Sequence, residues 1–214
     1  MPTPRCTILF AYRRGAHTSG LRTAQSILRP HPRRPRRGRS AVRRITLVRH
    51  GHAAAHAEGG DFQRPLDGRG RREVAQTATA IRDRIGAPSL MLASSAVRTT
   101  QTATILRDRL STPDTTLPLV FERSLYHADW SHLLEVLQAS DDATPHLLLV
   151  GHNPGISELA LRWSRHFPEY ADFQGFGTAG WCSATFAAAA TAAATADLSG
   201  LSVPIEAFFS PAPL

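Results

Sequence analysis

Ile45-Thr-Leu-Val-Arg-His-Gly-His52, or ITLVRHGH, decides how the rest of the chain is read. Its first four residues form a predominantly apolar run, the pattern of a strand buried on both faces. The run passes directly into Arg49, His50 and Gly51. A chain that only had to leave a sheet would place Gly, Asn, Asp or Pro there. Similar junctions recur downstream. SLMLA (89–93) ends in Ser94-Ser95, with Arg98 soon after, and HLLLV (146–150) ends in Gly151-His152-Asn153-Pro154-Gly155. LPLVF (117–121) is a further strand-like run, followed at once by Glu122.

Segments of helical period separate these runs. Val74, Ala78, Ile81 and Ile85 share one face of a helix expected from about Asp67 to Arg84. Ala103, Leu106 and Leu110 mark a second helix, and Trp130, Leu133, Leu134 and Leu137 a third. Ile156, Leu159, Ala160 and Trp163 mark a fourth. WCSATFA and LSVPIEAFF read as later strands, joined by the low-complexity AAAATAAATAD. Strands alternating with helices at this spacing predict an α/β layered domain with a mainly parallel sheet.

In open α/β sheets the ligand site lies beyond the carboxyl ends of the strands. Parallel strands would therefore gather two arginines, two histidines and a helix N-terminus in one crevice. Arginine offers planar, paired donors to phosphate oxygens, and a helix N-terminus adds backbone N–H groups. A single strand-end histidine is ordinarily a structural residue. Three strand ends presenting phosphate-suited groups at one edge point instead to a phosphoryl guest.

The segments LVRHGHA, DFQRPLDGRG, ASSAVRTTQTA, FERSLYHA and LLLVGHNPG resemble, in order, the successive motifs of the histidine phosphatase superfamily, the clan of the phosphoglycerate mutases. The resemblance runs from Ile45 to Phe186, and RPL together with GHNPG sets it nearest the small SixA-like phosphohistidine phosphatases. It implies a three-layer phosphoglycerate mutase-like fold, with a mainly parallel central sheet flanked by helices. It also implies that His50 is the nucleophile, that Arg49, Arg98 and His152 hold the phosphoryl oxygens, and that neither metal nor cofactor is needed. His152 is open to being charged or neutral.

Glu122 matches the position where mutase relatives place a glutamate acid; a surface ion-pair residue is the equal alternative. Gly51, Arg64 and Asn153 are candidates for lining the substrate pocket. Arg64 is more readily read as bracing its loop through Asp61, and Gly51 as giving the backbone room to turn. His52 is a rim residue without an assigned role, and the grouping of His50, His52 and His56 suggests no metal set.

The implied activity is hydrolysis of phosphohistidine proteins or small phosphoesters through a phosphohistidine intermediate. Mutase-like phosphoryl transfer and phosphate binding without turnover stand as alternatives. Mutases carry an Asn shortly after Arg-His-Gly, whereas this chain reads His52-Ala-Ala-Ala-His56, which favours hydrolysis. The short connection from Phe121 to Trp130 predicts an open site.

The chain of 214 residues has a formal net charge of +8, and its basic residues are all Arg. Residues 1–44 hold 12 of the 25 arginines and no acid, leaving residues 45–214 with 13 Arg against 17 acids, a net of −4. The division expected is a disordered Arg/Pro-rich extension, 1–44, and a catalytic domain, 45–214. The extension fits a nucleic-acid or anionic-surface arm, an organellar transit peptide, or an extension upstream of the true start. Nucleic acid is unexpected as a partner of the acidic body. Two unpaired cysteines, Cys6 and Cys182, and the absence of a signal-peptide pattern or membrane-length apolar run point to the cytoplasm, with no membrane partner.

Overall fold

The apolar runs form one six-stranded sheet in a computed structural model that describes residues 42–140, 144–165, 168–187 and 205–211. The strands are β1 (Val42–Arg49), β2 (Leu90–Ser94), β3 (Leu119–Glu122), β4 (His146–Gly151), β5 (Trp181–Ala187) and β6 (Ile205–Phe209). Their order is β3-β2-β4-β1-β5-β6. The first four in that order run parallel, β5 is antiparallel to β1, and β6 is antiparallel to β5, so the sheet is mixed. The helices are α1 (Gly68–Ile85), α2 (Val97–Leu110), α3 (Trp130–Ala139) and α4 (Gly155–Ser164). The expected α/β architecture is the one observed. The segment 1–41 and most of the alanine-rich stretch lie outside the described residues.

Alternation along the central strands divides the core into two layers. Ile45, Leu47, Leu147 and Leu149 face α3 and α4, packing with Leu133, Leu137, Ile156 and Trp163. Val48, Leu148 and Val150 face α1 and α2, packing with Val74, Ile81, Ala103 and Leu106. β4 is buried along its whole length and occupies the middle of the sheet. Each of its leucines contributes about 2 kcal/mol by leaving water, which explains why the most apolar run takes the most enclosed place.

β1 begins at Val42, three residues ahead of its apolar run, so Arg43 and Arg44 belong to the sheet rather than to the extension. Arg43 is buried and donates to the Leu137 carbonyl and the Ser140 hydroxyl; Arg44 donates to the Ile85 carbonyl at 3.1 Å. Both arginines thus serve terminal carbonyls of helices, where positive charge is favoured. Among the described residues no helix is long and apolar enough to cross a membrane.

Asp67 caps α1, its carboxylate accepting the Gly70 N–H at 2.8 Å. Gly70 itself sits against the chain that follows β1: a Cβ there would lie 2.0 Å from the His52 carbonyl oxygen. Alanine would gain about 1 kcal/mol in helix propensity, but this clash is with backbone and no rotamer relieves it. Gly70→Ala should therefore be destabilising by about 1–3 kcal/mol. Urea denaturation would read it as a lowered midpoint, and an unchanged or raised midpoint would contradict the packing.

Candidate active site

Strand register brings the sequence-predicted groups to one edge. Arg49 pairs with Gly151 and Ser94 with Glu122, so β1, β4, β2 and β3 end side by side. Beyond these ends lie His50, His152 and, from the first turn of α2, Arg98.

His50 is held in one tautomer by geometry. Its Nδ1 lies 2.8 Å from the Gly51 carbonyl oxygen, which can only accept, so Nδ1 carries the hydrogen. Nε2 is then the unprotonated nitrogen, and it accepts from Arg98 Nε at 3.2 Å. Burial lowers the His50 pKa to about 4, with Arg98, Arg49 and Arg64 adding repulsion, while the Gly51 contact opposes the shift. The ring is neutral near pH 7, with its lone pair in the crevice.

Arg98 is nearly fully buried, and each of its two terminal nitrogens donates to Asp61: 2.6 Å to the carbonyl and 2.9 Å to Oδ2. Asp61 Oδ2 also accepts from the Tyr126 hydroxyl at 2.7 Å and lies 3.3 Å from His127 Nε2. Arg64 binds Asp61 Oδ1 at 2.7 Å and the Ala54 carbonyl at 2.6 Å, so it braces this loop. The Tyr126 hydrogen bond leads the lowering of the Asp61 pKa, Arg64, Arg98 and His127 add to it, and burial opposes it.

His152 is buried, with Nε2 2.9 Å from the Ser94 hydroxyl and its ring 5.1 Å from that of His50. Burial, then His50, Arg98 and His127, push its pKa down to about 2, against a smaller opposing effect of Asp61. Of the two states left open for it, the neutral one is present. Arg49 donates to the Phe176 carbonyl at 2.7 Å. Asn153 donates to the same carbonyl at 3.0 Å, while its Oδ1 accepts from Ser157 at 2.7 Å, so both polar ends of Asn153 brace the loop before β5. Glu122 is 7% exposed and accepts the Ser124 N–H at 2.8 Å, capping a turn.

Gly51 lies outside the left-handed region, so the room it was expected to give the backbone is not a matter of φ. Its reason is proximity: a Cβ would lie 2.7 Å from Val74 Cγ2 and 2.8 Å from the Gly70 carbonyl oxygen. His52 Nδ1 contacts Asp67 Oδ2 at 2.6 Å and so secures the start of α1. Among the described residues no group of three or more His, Cys, Asp or Glu could hold a metal ion.

Some participants escaped the sequence reading. Tyr126 and His127 lie within FERSLYHA but drew no role. Glu73 is 2% exposed and accepts from the His52 N–H, from Arg69 and from Thr178 at 3.1, 2.6 and 2.7 Å. Burial pushes its pKa up, but these hydrogen bonds outweigh it and the net shift is downward. Its sequence signal is the polar stripe Gly70, Glu73, Thr77 beside the apolar stripe of α1. The loop before β5 gave no signal, yet the Ala179 N–H binds the His50 carbonyl at 3.0 Å and the Arg49 N–H binds the Gly180 carbonyl at 2.9 Å.

Two histidines with depressed folded pKa values make stability depend on pH. Such groups stabilise fully above the unfolded value, about 6.5, and that contribution is lost as pH falls towards the folded values. The melting temperature should fall as pH drops below about 6.5, with a shallower slope in His152→Asn. Nitrogen NMR of His50 should keep its neutral Nδ1–H signature until pH nears 4; titration near 6.5 would refute the assignment.

Comparison with known proteins follows the same lines. The profile of the histidine phosphatase superfamily, branch 1, matches residues 45–147. No curated protein sequence matches the chain at a significant level. Among solved structures, one assigned as phosphohistidine phosphatase SixA from Agrobacterium tumefaciens is 26% identical, with a TM-score of 0.63 over 79% of this chain and 99% of that one. A second, assigned as SixA from Nakamurella multipartitia, is 20% identical, with a TM-score of 0.64 over 80% and 98% of the two chains. A protein histidine phosphatase SixA complexed with tungstate is 24% identical, with a TM-score of 0.60 over 78% and 97%. Strand ends, Arg-His-Gly turn and fold all agree with the histidine phosphatase superfamily profile that residues 45–147 match, and the chain resembles the SixA structures in fold.

Proposed function

We propose that the chain is a phosphatase working through a phosphohistidine on His50, with phosphohistidine proteins or small phosphoesters as substrates. The observation that carries this reading is the fixed tautomer of His50. Nδ1–H is tied to the Gly51 carbonyl, so the Nε2 lone pair is the one that meets a guest in the crevice. A neutral imidazole is what nucleophilic attack on phosphorus requires.

Arg98 now donates to that lone pair. On arrival of a phosphoryl group the guanidinium exchanges this contact for a phosphate oxygen, freeing the nucleophile and stabilising the charge of the transferring group. Arg49 and His152 flank the same space, and Arg49 Nε and His152 Nδ1 are buried atoms without hydrogen-bond partners. Polar atoms left so are costly, and small rotations toward an entering oxyanion would satisfy them. Phosphoryl transfer is largely positioning and charge stabilisation, a task that this set of cationic and neutral donors can perform without a metal. The nucleophile's bond to phosphorus is then cut by water, returning His50 and releasing phosphate.

Openness of the rim supports an accessible phosphoryl group as substrate: the Asp61 and His127 side chains are 42% and 57% exposed. The Agrobacterium relative, at 26% identity, is assigned to phosphohistidine hydrolysis, which makes phosphorylated protein histidines the first class to test.

His50→Ala should abolish hydrolysis of phosphohistidine protein and of aryl phosphates while leaving the melting temperature near that of the parent. Rapid quenching of the parent enzyme should trap an acid-labile, alkali-stable phosphoryl group on His50. Arg98→Lys keeps the charge but loses the fork, and kcat/KM should drop about a hundredfold. Full activity in His50→Ala would end the proposal.

A further inference from the structure

A leaving oxygen needs a proton, and the reading of His50 as nucleophile leaves that donor unnamed. Glu122, the candidate from sequence, is buried and spends a carboxylate oxygen on the Ser124 N–H. Asp61 reaches the crevice, but the Tyr126 hydroxyl, Arg64 and Arg98 hold it as an ionised acceptor. Tyr126 has its hydroxyl hydrogen committed to Asp61.

His127 is placed differently. Its ring stacks on that of His152, with centroids 5.5 Å apart and planes 26° from parallel. The His152 ring in turn lies 5.1 Å from that of His50. On the other side Asp61 joins His127 to Arg98, which touches His50 Nε2. No ring contact or hydrogen bond links His50 and His127 directly. His152 and Arg98 therefore form two walls, with the nucleophile at the inner end and His127 at the exposed outer end.

In-line transfer puts the leaving atom opposite the attacking one, which is the outer end. Because Asp61 only accepts, the hydrogen in the His127–Asp61 contact sits on His127 Nε2, and the carboxylate fixes the ring. His127 also has a φ of 53°, an uncommon conformation for a residue with a side chain and one that collects at functional sites.

We propose that His127 is the proton donor to the leaving group, an inference that rests on the phosphatase reading above. In the first step the His50 Nε2 lone pair forms the N–P bond and the P–O ester bond breaks. Its electron pair stays on the leaving oxygen, which takes a proton from Nδ1 of the His127 imidazolium while Nε2–H stays on Asp61. In the second step water attacks phosphorus, neutral His127 takes the water's proton, and the N–P pair returns to Nε2. Imidazole suits both halves, since the same ring nitrogen can give a proton and take one back.

The test is a series of aryl phosphates, from dinitrophenyl through nitrophenyl to phenyl phosphate. It compares parent enzyme, His127→Asn, Glu122→Gln and His50→Ala. Asparagine tolerates the left-handed backbone but transfers no proton. Expected is a loss of about a hundredfold in kcat/KM on phenyl phosphate in His127→Asn, shrinking to little on dinitrophenyl phosphate, whose leaving group needs no acid. A loss equal across the series, no loss, or leaving-group dependence appearing in Glu122→Gln instead would overturn the assignment to His127. Activity surviving in His50→Ala, or a parent enzyme that neither turns over the series nor forms a phosphoenzyme, would overturn the phosphatase reading beneath it.

Discussion

The contact between Arg98 and His50 Nε2 organises everything around it. A guanidinium that is 3% exposed is costly to bury, and it is stable here because Asp61 answers its charge with a carbonyl and a carboxylate oxygen. The cation in turn adds to the burial that keeps His50 neutral, the state that the proposed nucleophilic role requires. Asp61 carries the constraint outward: Tyr126, His127 and Arg64 all converge on its carboxylate, so the rim of the crevice depends on the same charge.

Backbone wiring supports this centre from the opposite side. β5 runs antiparallel to β1, so the loop leading into it passes the carboxyl end of β1. That loop is fixed by Arg49 and Asn153 through one carbonyl and by the backbone of Arg49 and His50 through two further hydrogen bonds. Thr178 is tied to Glu73, which also accepts the His52 N–H. The Arg-His-Gly turn is thereby clamped between α1 and the β5 loop, and Gly51 and Gly70 allow the close approach that this clamp needs.

The fold and the gathering of Arg49, His50, Arg98 and His152 at one sheet edge were legible from local pattern because their causes are local. Apolar runs with helical segments between them leave few sheet arrangements, and arginines and histidines at several strand ends on one edge are more than leaving a sheet requires. Periodicity placed Val74, Ala78 and Ile81 on the buried face of α1, and they are buried. The start of β1 was misjudged because Arg43 and Arg44 look like tail residues. Only the helix ends they reach reveal that they are strand residues.

What the sequence determined by itself is therefore the alternation and the three chemically loaded strand ends. Tertiary structure decided which atoms meet. It turned Asn153 to the Phe176 carbonyl, set Glu122 to capping a turn, and made Arg64 a brace. It also brought His127, far from His50 in sequence, to the outer end of the same crevice. The physical reason is that hydrogen-bond partners across a sheet edge are set by register and by loop paths. Neither leaves a periodic trace in a single chain, whereas burial does.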